Sequence, residues 1–217
     1  MQPYRLDIDP IDVDPDGIAE NQTTAGAQDL ALDGVLSDLG TAGVFDIHDA
    51  GYSDGIGGVK IAIDSAGDIN TVNFTVTGKD QDGNDITEVI TGVTTTAVQS
   101  TNYWSEITNI AADAAVGSNV FVGPVDEIIS RTLPLNWRAT EAATVAVGGL
   151  SGTCQFDIDE TFSDMKDNTG FSWETNLSNQ SANVSGLLTL HATACRLVFD
   201  SYSSGAELQL GVLQGNA

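Results

Sequence analysis

TVNFTVTGKDQDGNDITEVIT, residues 71–91, decides the fold class. Val72, Phe74 and Val76 alternate with Asn73, Thr75 and Thr77, the period of a strand with one face in a core and one in water. Asp82-Gly83 follows, a strong hairpin signal because glycine enters the left-handed region without a Cβ clash. Residues 85–91, DITEVIT, return as a second strand. Ile86 and Ile90 share a face with Glu88, which points to a solvent-facing edge there.

The same period recurs on both sides. Upstream lie DLALDGVL (residues 29–36) and GVKIAID (58–64); downstream, residues 105–111 and 119–122 give two more strands. Pro124 opens a second set: 125–129, 133–137, 143–147, 153–158, 171–175, 187–191, 194–199 and 207–213. Residues 176–185 read as a long polar loop. RLVFDSYSSGAELQLGVL, residues 196–213, is another hairpin pattern around a Ser/Gly turn. No helical stripe exceeds two turns; the helical pieces expected are short, around residues 20–28 and 160–166. Short strands at this spacing argue for sandwiches or barrels.

The opening MQPYRLDIDPIDVDPDG has prolines at 3, 10 and 15, which break helices and hold their neighbours extended. It reads as an arm anchored by a few apolar side chains, lying across a neighbour or along its own domain. The expected organisation is all-β: two β-sandwich or jelly-roll-like modules in tandem, residues 18–123 and 124–217, behind an extended N-terminal arm, residues 1–17.

Charge narrows the function. Seven Lys and Arg stand against 31 Asp and Glu, a formal net charge of −24, which repels phosphate backbones and anionic lipid. The expected partners therefore include no nucleic acid and no membrane. The charge also keeps a crowded, exposed protein soluble. Residues 1–16 have no apolar core of a secretory signal, and no run is long enough to span a bilayer, so synthesis in a cytoplasm is expected.

Few residues carry recognisable chemistry. Asp12, Asp14 and Asp16 followed by Gly17 match the start of a calcium loop, but Thr23 holds the twelfth position and Pro15 stiffens the turn; an acidic arm entering a turn is the plainer reading, and no cofactor is expected. His48 and His191 have no ligand-spaced partner. There is no G-x-S-x-G elbow, P-loop or H-E-x-x-H, and three tryptophans and four tyrosines scattered singly do not suggest a sugar cleft. A non-enzymatic role is expected. Cys154 shares a strand phase with Phe156 and Ile158, and Cys195 with Leu197 and Phe199, so both point into the second core, either as two buried thiols or as a disulfide. Tyr4, Leu6 and Ile8 of the arm, with Tyr103 and Trp104, are the expected interface residues. Trp173 could also anchor a partner, and Trp137 reads as core.

NFTVTGKDQDGNDITEVITG (73–92) followed by TTTAVQSTNYWSEITNI (94–110) resembles a segment common in structural proteins of tailed bacteriophages. IAENQTTAGAQDLALDG (18–34) is similar to that family's N-terminal segment. LPLNW (133–137), VAV (145–147), CQFDIDETFSD (154–164) and ATACRLVFDSYSSGAELQLGVLQ (192–214) resemble its second β-sandwich. The resemblance implies a virion part without an active site, foremost a head decoration or cement protein on the outer capsid surface. Its partner would be the major capsid protein, and it would form a homo-oligomer, a trimer above all. A tail or neck component that recognises host glycan is the alternative.

Overall fold

A computed structural model describes residues 2–164 and 172–214. Among them strands run in the order β1 (Gln2–Ile8), β2 (Ala19–Thr24), β3 (Gln28–Asp29), β4 (Phe45–Asp46), β5 (Ile56–Ser65), β6 (Asn73–Lys79), β7 (Asp85–Thr91), β8 (Val98–Gln99) and β9 (Glu106–Ala112). They continue as β10 (Val116–Ser130), β11 (Leu133–Pro134), β12 (Thr144–Ser151), β13 (Cys154–Thr161), β14 (Trp173–Gln180), β15 (Val184–Leu187), β16 (Ala194–Tyr202) and β17 (Glu207–Gln214). One 3-10 turn, Val35–Ser37, is the single helical piece among the described residues. The chain is all-β, in antiparallel sheets that form sandwich-like modules.

Two helical expectations are corrected. Residues 19–24 form β2, which meets β10 at Thr24↔Val116, Gln22↔Val120 and Ala19↔Val122. Residues 160–161 finish β13; 165 and 166, like Phe171 of the expected strand 171–175, lie outside the described residues. In both places β-branched threonines and distant partners outweigh a weak local preference for helix. The loop expected over 176–185 is also corrected: most of it is strand, in β14 and β15.

The chain divides into two compact units, one of Met1–Ile11, Ser53–Ile56 and Ile128–Ala217, the other of Asp12–Tyr52 and Gly57–Glu127. They are called here the C-terminal and N-terminal units. The arm expected over residues 1–17 is thus split between them. The break expected at Pro124 falls inside β10, whose residues up to Val122 pair with β2 and whose Ile128 and Ile129 pair with β16. Pro124, with no N–H to donate, sits between those two paired stretches.

In the C-terminal unit one sheet has the order β1-β17-β12-β15. β1 pairs with β17 along its whole length, from Gln2↔Gln214 to Ile8↔Leu208. The inner face of this sheet carries Ile8, Leu208, Leu210, Val212, Val145 and Val147, all buried. The second sheet packs β14, β13 and β16 side by side, with β11 and the end of β10 on β16. It contributes buried Phe156, Ile158, Leu197, Phe199 and Ile128. A Cβ at Gly186 of β15 would come 3.1 Å from Leu177 of β14, so the two sheets meet face to face there. Residues 53–56 belong to this unit because they clip the free edge of β1. The Ser53 hydroxyl donates to the Asp7 carbonyl at 3.0 Å and accepts from the Asp9 N–H at 2.9 Å. Gly55 has to be glycine: a Cβ would lie 2.2 Å from the Asp7 carbonyl oxygen.

In the N-terminal unit a sheet of order β3-β9-β6-β7 carries β4 on β9. The hairpin read from residues 71–91 forms in register, from Asn73↔Thr91 to Lys79↔Asp85. Its turn is organised by Asp80, whose Oδ1 accepts the N–H groups of Asp82 and Asn84, both at 2.9 Å, while Gly83 takes φ +80°. Glu88 accepts the N–H groups of Thr101 at 2.6 Å and Asn102 at 3.0 Å, which fixes the edge strand β7 to the following loop. β2, β10, β5 and β8 form the partner strands, and Phe45, Ile61, Phe74, Trp104, Ile110 and Val120 fill the core.

Two outcomes follow. Phe199 has its ring 6.3 Å from Phe156 and 6.1 Å from Tyr202, so Phe199→Ala should cost about 3–5 kcal/mol in urea unfolding. Asp113 accepts the Asn73 N–H and side-chain amide, each at 2.8 Å, and Asp68 accepts the Asn70 N–H at 3.0 Å and the Thr94 hydroxyl at 2.7 Å. Those bonds, the backbone ones foremost, hold both carboxyls below the ordinary 3.8. Because the folded state prefers them ionised, their stabilisation is present above pH 3.8 and fades as pH falls through their lower folded values. Asp113→Asn should therefore flatten the fall of Tm with pH in that acid range.

Candidate functional site

The acidic turn does not assemble a calcium loop. Asp12 is exposed, Asp14 and Asp16 are half-buried, and the Gly17 N–H closes the turn on the Asp14 carbonyl at 3.1 Å. Partial burial raises the Asp14 carboxyl, and its hydrogen bond and charge repulsion with Asp16 push the same way. Among the described residues no three His, Cys, Asp or Glu side chains converge as metal ligands. Pro15 separates the carboxylates that a calcium loop would need to wrap around one ion.

The disulfide reading is corrected by register. Cys154 opposes Tyr202 at one end of the β13–β16 ladder, and Cys195 opposes Glu160 at the other. Six strand residues separate those positions, roughly 20 Å, against the roughly 5–6 Å that a disulfide spans between Cα atoms. Both are free, buried thiols. Burial raises the Cys154 thiol, and burial plus the Glu160 carboxylate pushes the Cys195 thiol up to about 12.

Of the interface residues expected from sequence, Trp104 is fully buried: it exchanges backbone hydrogen bonds with Val59 and sits inside the N-terminal unit. Tyr103 is half-buried, with the Lys60 ammonium 5.3 Å from its ring. Ile8 is core, Leu6 half-buried and Tyr4 exposed, a gradient along the inner side of β1. Trp137, read as core, is instead 52% exposed. The sequence placed the two tryptophans the wrong way round.

Asp159 and Glu160 are adjacent buried carboxylates, a pairing that invites an acid–base reading. Successive residues of a strand point to opposite faces, so the two cannot act on one substrate atom. Each is held structurally. Asp159 accepts from the Arg196 guanidinium at 3.2 Å and the Thr175 hydroxyl at 2.9 Å, and that guanidinium lies 4.0 Å over the Trp173 ring. Glu160 accepts the Thr189 N–H at 2.7 Å and its hydroxyl as well.

The surface feature that stands apart is the outer face of the β1-β17-β12-β15 sheet. Across it Arg5, Gly211, Ala146 and Ser185 form one row, and Leu213, Thr144 and Leu187 the next. The small residues leave an apolar dish of about 440 Å³ between Arg5 and Leu213, with Gly148 and Gly149 at its far side. An adjoining polar pocket shares Arg5, Gly149 and Gln209 and is rimmed by Asp7, Asp9 and Glu207.

At the Leu213 end stands the loop Asn136–Ala139. Gln214 grips it with both ends of its amide, accepting the Asn136 N–H at 2.6 Å and donating to the Asn136 carbonyl at 3.0 Å. The Asn136 side chain accepts the Arg138 N–H at 3.1 Å, and a His191 ring nitrogen bonds the Trp137 carbonyl at 2.8 Å. The loop so fixed holds Trp137 in water with the Arg138 guanidinium 4.6 Å over its ring. Sequence reading missed this loop because what exposes Trp137 is a clasp to a residue 77 positions away.

Charge is unequally divided. The N-terminal unit has 19 carboxylates and two lysines, a formal −17, and both lysines are ion-paired, Lys60 to Glu127 and Lys79 to Glu106. The C-terminal unit has 12 carboxylates and five cations, a formal −7. It also holds six of the ten exposed large apolar side chains among the described residues, Tyr4, Trp137, Phe162, Leu187, Leu190 and Leu213. The sequence matches no protein-family model and no curated protein sequence.

Removing the Asp159 carboxylate breaks its ion pair with Arg196 in a nearly closed site and takes the acceptor from the Thr175 hydroxyl, so Asp159→Ala should destabilise the fold by about 3 kcal/mol, read in urea against wild type.

Proposed function

We propose that this chain is a non-enzymatic structural component of a tailed-phage virion, in first place a head decoration or cement protein that binds the major capsid lattice. The observation that carries the reading is the division of surface chemistry between the units. The strongly acidic N-terminal unit suits a face turned to solvent, where like charge keeps neighbouring particles and chains apart. The less acidic C-terminal unit concentrates exposed aromatic and aliphatic side chains, the material of a docking surface. Its buried carboxylates, Asp159 and Glu160, are engaged in holding strands and loops together, which suits a structural part. Resemblance of residues 18–34, 73–110 and 133–214 to tailed-phage structural proteins supplies the assembly. Binding the assembled lattice in preference to free subunits would raise the lattice's apparent stability by mass action.

Electron microscopy of virions labelled through an antibody to this chain should place it on the head surface, and heads lacking it should lose their contents at lower temperature. Absence of label from heads would overturn the reading. Label confined to tail or neck would favour the second one, host-glycan recognition, for which exposed Trp137 is the aromatic plate a sugar ring would stack on.

A further inference from the structure

We propose that the Trp137–Arg138 loop of one copy of this chain docks into the outer-face dish of a second copy. The indole would cover the bare floor formed by Gly211, Ala146 and Gly148, and the guanidinium would meet the adjoining carboxylates of Asp7, Asp9 and Glu207.

The floor is bare for no reason internal to the fold. A Cβ at Gly148 would meet nothing within 4 Å, and one at Gly211 would meet only the Ala146 carbonyl oxygen at 3.6 Å. Glycine weakens a strand interior, so two on facing strands without a steric demand point to a surface kept open for something to lie on. What lies there has to offer an apolar plate beside a cation, because the dish is apolar and its neighbour pocket presents three carboxylates, of which Asp7 is paired with Arg5 at 3.0 Å while Asp9 and Glu207 have no cation within ion-pair distance among the described residues.

The chain itself offers that pair. Trp137 is exposed, Arg138 stacks on it, and Arg138 makes no ion pair with any described residue despite the chain's net charge of −24. Four hydrogen bonds from Gln214, Asn136 and His191 fix the loop before any partner arrives, so little conformational entropy is lost on docking. A rigid exposed tryptophan flanked by arginine has the composition of an interface hot spot. The loop stands at the Leu213 end of the sheet and the carboxylates at the other, so the C-terminal unit carries both complementary halves. The contact therefore repeats in any closed assembly of copies.

The test is the solution mass of the purified full chain, by sedimentation and native mass spectrometry across a concentration series. Wild type should associate. Trp137→Ala, which removes the plate, and Gly211→Leu, which fills the dish from an open strand position, should each weaken association by on the order of 30-fold or more while keeping the wild-type β circular dichroism. Gly148→Val fills the same floor and replaces Gly211→Leu if that variant misfolds. An equimolar mixture of the two variants retains one intact loop and one intact dish, so mixed species should form where neither variant associates alone. A wild-type chain that stays monomeric at its highest soluble concentration would overturn the proposal. So would association that survives both substitutions, or a mixture that stays monomeric. Capture of an aromatic-cationic segment from another protein in place of a second copy would overturn it too. None of these outcomes bears on the virion reading, which microscopy of heads decides.

Discussion

The antiparallel pairing of β1 with β17 sets what the C-terminal unit can be. Seven consecutive pairs, Gln2↔Gln214 to Ile8↔Leu208, give the outer sheet its fourth strand. Without β1 the buried Leu208, Leu210 and Val212 of β17 would have no neighbour on that side, and the sheet would be three strands with an open apolar edge. The pairing brings Arg5 to the dish and Asp7 and Asp9 to its acidic neighbour. It also calls in residues 53–55, whose serine hydroxyl and glycine backbone cover the edge that β1 itself would otherwise expose. Pro3, which has no N–H, blunts the same edge from the other end.

Around that constraint the carboxylates do much of the local shaping. Asp80 organises a turn, Glu88 ties an edge strand to a loop, Asp113 joins β6 to the end of β9, and Glu160 holds the loop before β16 through Thr189. A chain with so few cations satisfies its acids with backbone N–H groups and hydroxyls, which favour the ionised form without a counter-charge. The few cations are used sparingly: Lys60, Lys79 and Arg196 each lock a carboxylate. Arg5 does the same with Asp7, whereas Arg138 makes no ion pair with any described residue and is set beside an exposed aromatic.

Local order was legible in the sequence wherever a strand's partner lay close along the chain. The 73–91 hairpin, with its alternation and Asp-Gly turn, is visible because period and turn chemistry are local; residues 196–213 alternate as read, but the hairpin expected there is not formed, since β16 and β17 pair in different sheets with strands from elsewhere in the chain. The fate of residues 2–8 was not, since their partner lies some 200 positions on and nothing in PYRLDI distinguishes a strand from an anchoring arm. The two tryptophans failed for a related reason. Alternation says which way a side chain points relative to its neighbours, while what covers it is decided by distant elements, Val59 over Trp104 and a Gln214 clasp beneath Trp137. Cys154 and Cys195 share an inward phase, as read, yet register along β13 and β16 sets them far apart, and register is not written in either strand alone.

The β1–β17 pairing has a consequence for how the chain comes into being. A ribosome adding roughly 5–20 residues per second reaches β17 about 10–40 s after completing β1. For that interval β1 waits, extended and unpaired, while the strands of the N-terminal unit emerge around it. A waiting strand is a hazard to its neighbours, and this one is dressed for the delay: Pro3, Arg5 and Asp7 within it, and Asp9 and Pro10 just beyond it, break up its apolar run. The composition that first reads as an arm is, in the time of synthesis, what keeps an early strand from pairing before its partner exists.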